Sequence, residues 1–276
     1  MSEENKSGTN LWDKVALDFG KVGPKYWDSF GLRLVELSTI GSGAKVLDIG
    51  MGRGASLFPA IDKVGKTGQV VGIDNSEAMV RETYKDIISR NISNADVKIV
   101  NAEHLEFKED YFDNIFCGFG FGYLILSENK LQGIKKVLKT GGQVGFSIWG
   151  VQEEQKWLTK IIGNYINNDN KSINNNTKNY IPKFDTVDTV TKILKDEGFK
   201  NIKVYEENNL VIYDNKEQWW KEMWTNAVRG IFEQIEALGL DKLEDFKHNV
   251  FNELENFKKE NRICFNMPVM YAYGEK

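Results

Sequence analysis

The chain has 276 residues, 41% hydrophobic and 28% charged, which allows a large buried core and excludes a disordered or fibrous chain. Its 36 basic and 40 acidic residues give a formal net charge of -4; the basic surplus that accompanies phosphate-backbone binding is missing, so no nucleic-acid partner is expected. No apolar run has membrane-spanning length, the opening MSEENKSGTN lacks an apolar signal core, and Cys117 and Cys264 are too far apart for a CxxC metal site. A cytoplasmic protein without a metal, monomeric or homodimeric, is expected.

In chain order, Trp12 to Leu37 carries helical spacing broken near Gly20, Gly23 and Pro24, which predicts two short helices. A regular alternation follows. Strands are predicted at Lys45 to Ile49, Gln69 to Ile73, Val97 to Val100, Phe112 to Cys117 and, after the turn Thr140-Gly141-Gly142, Gln143 to Trp149. Helices at Ala55 to Val64, Ser76 to Asn91 and Lys130 to Leu138 separate them, with Ser76 as an N-cap. This order predicts an α/β fold with a mostly parallel sheet covered on both faces.

Beyond Trp149 the pattern loosens. A helix is expected at Glu153 to Ile166, a loop at the Asn-rich NNDNKSINNNTKN, and a helix capped by Asp185 that runs through Glu197 and is ended by Gly198. Two strands (Ile202 to Tyr205, Leu210 to Tyr213), two amphipathic helices (Glu217 to Leu238, Leu243 to Glu260) and a last strand at Val269 to Tyr273 complete the chain. It divides into an N-terminal helical lid (1–40), a core (41–150) and a helical cap inserted before the last strand (214–266), within one domain of 1–276.

The segment Val46-Leu47-Asp48-Ile49-Gly50-Met51-Gly52-Arg53-Gly54 carries the chemistry. Glycines at a strand-to-helix turn let backbone approach a ligand where a Cβ would collide, and in such sheets the ligand crevice lies beyond the carboxyl ends of the strands. Asp74 closes the second strand about 20 residues later, where an acid can accept from both ribose hydroxyls. The spacing is G-x-G-x-G rather than the G-x-G-x-x-G of dinucleotide sites. Asp48 inside the turn would repel a pyrophosphate and suits a cationic ligand with an amino group and a sulfonium, which points to S-adenosylmethionine.

On these residues the chain resembles the class I S-adenosylmethionine-dependent methyltransferases, the small-molecule group that includes ubiquinone/menaquinone-type and many natural-product enzymes. VLDIGMGRG resembles the first motif, with Met51 where Cys is usual. VVGIDNSEAM resembles the second, in which Asp74 binds ribose, Asn75 is among the cofactor-binding residues and Met79 packs near adenine. NAEHLEF resembles the third, with Asn101, Ala102 and Glu103 on the adenine side and Asn101 in place of Asp. FDNIFCGFGFGYL resembles the fourth, where Cys117 and Gly118 approach the methionine moiety, and VLKTGGQVGFSIW the fifth. The match covers Leu11 to Trp149, with a helix-glycine-strand pattern near Gly198 extending it, and implies a seven-stranded Rossmann-like sheet with S-adenosylhomocysteine as product.

Two departures matter. Phe19-Gly20 stands where relatives carry Tyr-Asp in the lid, and Gly122-Tyr123 where they carry His-His after the fourth strand. No general base is evident; Tyr123 and His104 are the candidates, while His248 reads as a surface residue. Phe19, Tyr26, Tyr123 and Trp149 are placed near the acceptor. Trp220 and Trp224 read either as the buried stripe of their helix or as an aromatic roof, and Arg229 either as a partner of Glu233 or of an anionic acceptor. Methyl transfer to an O, N or C nucleophile of a small molecule is the expectation. An RNA methyltransferase, a non-catalytic nucleoside-binding protein and a nicotinamide-dependent oxidoreductase remain as alternatives.

Overall fold

The computed structural model describes residues 11–126, 131–166 and 184–276. The Asn-rich stretch, residues 167–179, lies outside them. Five parallel strands, β1 (Lys45–Ile49), β2 (Gln69–Asp74), β3 (Ala95–Ile99), β4 (Phe112–Gly118) and β5 (Leu138–Trp149), are joined by β6 (Lys200–Tyr213) and by β8 (Arg262–Glu275), which is antiparallel to both of its neighbours. The order is β3-β2-β1-β4-β5-β8-β6, and the two-residue β7 (Lys258–Lys259) pairs with β8. The expected seven-stranded sheet is therefore present, with a short eighth arm.

The central strands are apolar on both faces because both are covered. On one face Val46, Val70 and Phe116 pack with α2 (Tyr26–Glu36), α3 (Leu57–Val64) and α4 (Glu77–Ser89). On the other, Leu47, Ile73 and Phe146 pack with α5 (Phe121–Leu126), α6 (Gln132–Val137) and α8 (Val187–Asp196). A short helical segment at 11–15, α1, precedes them, and α7 spans Lys156–Ile162. Ser76 caps α4 as expected, its hydroxyl accepting from Met79 N. The cap of α8 is Thr186, which accepts from Thr189 N, and not Asp185.

Three other expectations are corrected. The strands at 202–205 and 210–213 are one strand, β6, paired with β8 along its length. The turn at Thr140-Gly141-Gly142 is absorbed into β5, where the register with β4 shifts between Phe112 and Asn114. The helix expected at Glu217 to Leu238 is broken into α9 (Lys216–Met223) and α10 (Arg229–Glu236), because Asn226 turns the chain and accepts from Val228 N at 2.9 Å. With α11 (Leu240–Leu254) these helices occupy the β6-to-β8 connection and bury Trp219, Phe232 and Phe246 against the α2 face of the core.

Candidate functional site

The strand order reverses between β1 and β4, and a ligand crevice is expected beyond the carboxyl ends at such a point. A cavity of 670 Å³ lies there, walled by residues at or near the carboxyl ends of four strands, Ile49, Ile73, Cys117 and Ser147, and by residues before and within α2. That volume suits one nucleoside-sized ligand with a small partner.

Asp74 ends β2 on this wall. Its two oxygens accept from Gly52 N at 3.0 Å and Ser76 N at 2.9 Å, so one carboxylate ties the glycine turn to the start of α4 and still faces the cavity. Burial pushes its pKa up, against the pull of these backbone N–H groups. The turn itself needs glycine: Gly50 and Gly52 have φ of 63° and 49°, and a Cβ on Gly50 would meet open space rather than protein.

Asp48 corrects the electrostatic expectation. It is fully buried and absent from the cavity wall, because the strand pleat turns its side chain toward α3, where Ser56 Oγ donates to its oxygens at 2.8 and 3.0 Å. Ser56, not Asp48, stands on the wall. Burial, with a smaller contribution from the charge on Asp74, pushes the Asp48 carboxyl up to about 7.

The structure places the other residues expected at the donor as follows. Met51, Asn75, Met79, Asn101, Ala102 and Glu103 line the cavity. Asn101 accepts from Glu103 N at 3.0 Å and shapes that turn. Cys117 and Gly118 line it at the end of β4, with burial holding the Cys117 thiol protonated. Gly54, at φ 84°, lies behind the wall and turns the chain toward α3, its Cα facing the Phe58 ring.

The acceptor-side expectations divide. Phe19 and Tyr123 line the cavity, Tyr123 at an exposed rim. Trp149 reaches it through Phe119, their rings 4.3 Å apart. Tyr26 is buried behind the wall, and His104 is exposed and off it. Trp220 packs on Phe232 at 4.8 Å, Trp224 on the same ring at 5.5 Å, and Arg229 pairs with Glu233 at 2.8 Å. None of these three is on the wall, so the buried-stripe and helix-pair readings hold.

Sequence reasoning missed Trp27, Phe119, Ser56 and Ser147. Trp27 packs edge-on to Phe119 and Trp149 at 5.3 and 5.7 Å, forming an aromatic wall. Phe119 has φ 56°, unusual for a bulky residue, and its N–H donates to the Ser147 carbonyl at 2.9 Å. The G-F-G run at 118–120 was the only local sign of this bend.

Residues 40–234 match the family model described as "Methyltransferase domain". The chain belongs to that family. It is 33% identical over 146 residues to aklanonic acid methyltransferase DauC of a Streptomyces species (53% of this chain, 66% of that one). It is also 33% identical over 151 residues to the ubiquinone/menaquinone biosynthesis C-methyltransferase of Hydrogenovibrio crunogenus (52% and 59%). The matched segments thus span about three-fifths to two-thirds of these relatives. Among solved structures, the YcgJ protein of Bacillus subtilis superposes with a TM-score of 0.57 at 18% identity, over 89% of this chain and 97% of that one. Phosphoethanolamine N-methyltransferase 2 of Haemonchus contortus gives 0.56 at 17%, over 100% and 58%. These two share the fold with the family member described here.

Proposed function

We propose that this family member transfers a methyl group from S-adenosylmethionine to a nucleophile of a small molecule, releasing S-adenosylhomocysteine. The observation that carries the reading is Asp74: a carboxylate fixed by two backbone N–H groups, facing a cavity beside a glycine turn. It accepts from the ribose hydroxyls, Met79 packs on the adenine side, the turn at Asn101 to Glu103 meets the base edge, and backbone at Cys117 and Gly118 meets the methionine end. The donor supplies a methyl group already activated by the sulfonium charge. What the chain adds is alignment and exclusion of water, and the closed aromatic wall of Trp27, Phe119 and Trp149 fits both roles.

One relative's name specifies aklanonic acid and another ubiquinone and menaquinone biosynthesis; with that aromatic wall they support a small, largely apolar acceptor. The acidic charge balance favours this over an RNA acceptor. Cytoplasmic residence as a monomer or homodimer goes with this reading; among the described residues no helix is long and apolar enough to cross a membrane. Light scattering reads the assembly state. Calorimetry with S-adenosylmethionine, S-adenosylhomocysteine and NAD tests the reading itself. Saturable heat with the first two and none with NAD is expected, and the reverse would overturn it.

A further inference from the structure

Residues 19–28, which lead into α2, have a front and a back. Phe19, Gly20, Lys21, Lys25, Trp27 and Asp28 line the cavity, whereas Gly23 and Tyr26 do not. Both of these back-side residues rest on one side chain, Glu222 of α9. The Tyr26 hydroxyl donates to its carboxyl group. A Cβ on Gly23 would lie 2.7 Å from Glu222 Oε2, 3.1 Å from Cδ and 3.4 Å from Cβ, so the turn lies along the whole length of that side chain. Glu222 itself is not on the wall.

Packing alone does not account for a carboxyl group at this place. Glu222 is buried, no cation acts on it among the described residues, and its other hydroxyl neighbour is Tyr213 of β6. Taking a carboxyl group out of water without a cation is costly, and an apolar side chain of similar volume would fill the same space more cheaply.

What the carboxyl adds is direction. Apolar contact is non-directional, whereas a hydrogen bond to the ring hydroxyl fixes where Tyr26 and the first turn of α2 stand. Trp27 is the next residue. Its ring lies 5.0 Å from the Tyr26 ring and edge-on to Phe119 and Trp149. An oxygen behind the wall therefore sets the place of the ring in front. Stability given up at one position in this way is expected where function requires it.

We infer that Glu222 is a positioning residue for the proposed reaction: by seating Gly23 and Tyr26 it holds Trp27 against the cavity and so slows the escape of the bound cofactor. This deepens the proposed function and rests on it, since the cofactor is S-adenosylmethionine or its product.

The experiment uses the full chain and S-adenosylhomocysteine. The double variant Tyr26→Phe with Glu222→Met replaces both hydrogen-bond partners by apolar groups of similar shape. It is expected to melt no lower than wild type and yet to release S-adenosylhomocysteine about 3- to 10-fold faster in stopped-flow displacement. Glu222→Gln, which keeps an acceptor for Tyr26, is expected to stay within about twofold of the wild-type rate. In protein labelled with fluorotryptophan, the Trp27 fluorine resonance is assigned by its loss in Trp27→Phe. It is expected to shift or broaden in the double variant and to hold its place in Glu222→Gln. Gly23→Ala reaches the same contact from the other side, pressing a methyl group onto the carboxyl, and is expected to speed release and move the same resonance. It serves as the test should the double variant not fold.

An unchanged release rate with an unmoved Trp27 resonance, in either the double variant or Gly23→Ala, would overturn the inference. So would faster release that merely tracks a lower melting temperature, which would make Glu222 an ordinary core residue. Failure of wild-type protein to bind S-adenosylhomocysteine would instead remove the methyltransferase reading, while the Trp27 resonance would still report whether Glu222 places that ring.

Discussion

The Tyr26 hydroxyl donates to Glu222 Oε1 at 2.5 Å, joining two residues 196 positions apart. Tyr26 belongs to α2 and Glu222 to α9, so this bond ties the helices of the β6-to-β8 connection to the element that roofs the site. Trp27, the next residue, lines the cavity. The connection thus reaches the cavity through α2 rather than by supplying wall residues of its own.

Glu222 is 1% exposed and has no cation within ion-pair distance among the described residues. Burial pushes its carboxyl from 4.5 up to about 7, against hydrogen bonds from Tyr26, Tyr213 and Trp27 that pull it down. The folded protein therefore holds this proton more tightly than the unfolded chain, and the contribution to stability is lost as pH rises through that window. Glu222→Gln keeps an acceptor for Tyr26 and removes the titration. Relative to wild type it is expected to gain on the order of 1–3 kcal/mol between acid and mildly alkaline pH. Denaturant melts across that range check it; parallel profiles for the two proteins would refute it.

Asp48 carries a similar shift with a different readout. A cation seated near Ser56 lowers the pKa of the carboxyl behind it, so donor binding expels a proton when the pH is near or below 7. Affinity for S-adenosylmethionine is expected to rise as pH climbs through 7 and then level. Asp48→Asn is expected to flatten that profile and to weaken binding about tenfold at pH 8. Calorimetry in two buffers of different ionisation heat measures the proton directly, and equal heats in both would count against the coupling.

The core strands were legible because each is buried on both faces and reads as a short apolar run between turns. β6 was not, since Glu206-Glu207-Asn208-Asn209 breaks its pattern; an edge strand paired only with β8 tolerates such residues. The apolar spacing of Trp220, Trp224, Val228 and Ile231 hid the break between α9 and α10, which depends on the Asn226 side chain. In the site, the glycines and Asp74 were readable from local spacing. Asp48 misled because its position before the turn was taken for its direction, which the strand pleat decides. Trp27, Phe119 and Ser147 meet only through the fold.

Close approach of α2 to the glycine turn is a packing requirement with a sharp test. A methyl on Gly31 would collide with the carbonyl group of Ala55, and backbone on both sides leaves little room to yield. Gly31→Ala is expected to cost about 1–3 kcal/mol of stability and to weaken donor binding by displacing the roof. An unchanged melting temperature would show that α2 slides freely, contrary to this packing.

The segment around α1 is pinned at one carboxylate. Asp13 Oδ1 accepts from Ser76 Oγ at 2.6 Å and from Ala78 N at 3.1 Å, and Trp12, Val15 and Phe19 then pack over Ala78 and Met79. Arg53 adds a bond to the Ala16 carbonyl at 2.7 Å. Removing the Asp13 side chain leaves the Ala78 N–H at the start of α4 without its acceptor, a loss of about 0.5–2 kcal/mol, and the cost falls on closure because the apolar contacts of this segment form a small cluster with Ala78 and Met79, apart from the two main core clusters. Asp13→Ala is therefore expected to release S-adenosylhomocysteine roughly 3- to 30-fold faster with little change in melting temperature, and Asp13→Asn, whose oxygen still accepts, to stay near wild type. Stopped-flow displacement reads the rate. An unchanged rate in Asp13→Ala would mean that the segment does not cover the donor, and a large drop in melting temperature would mean that it belongs to the core.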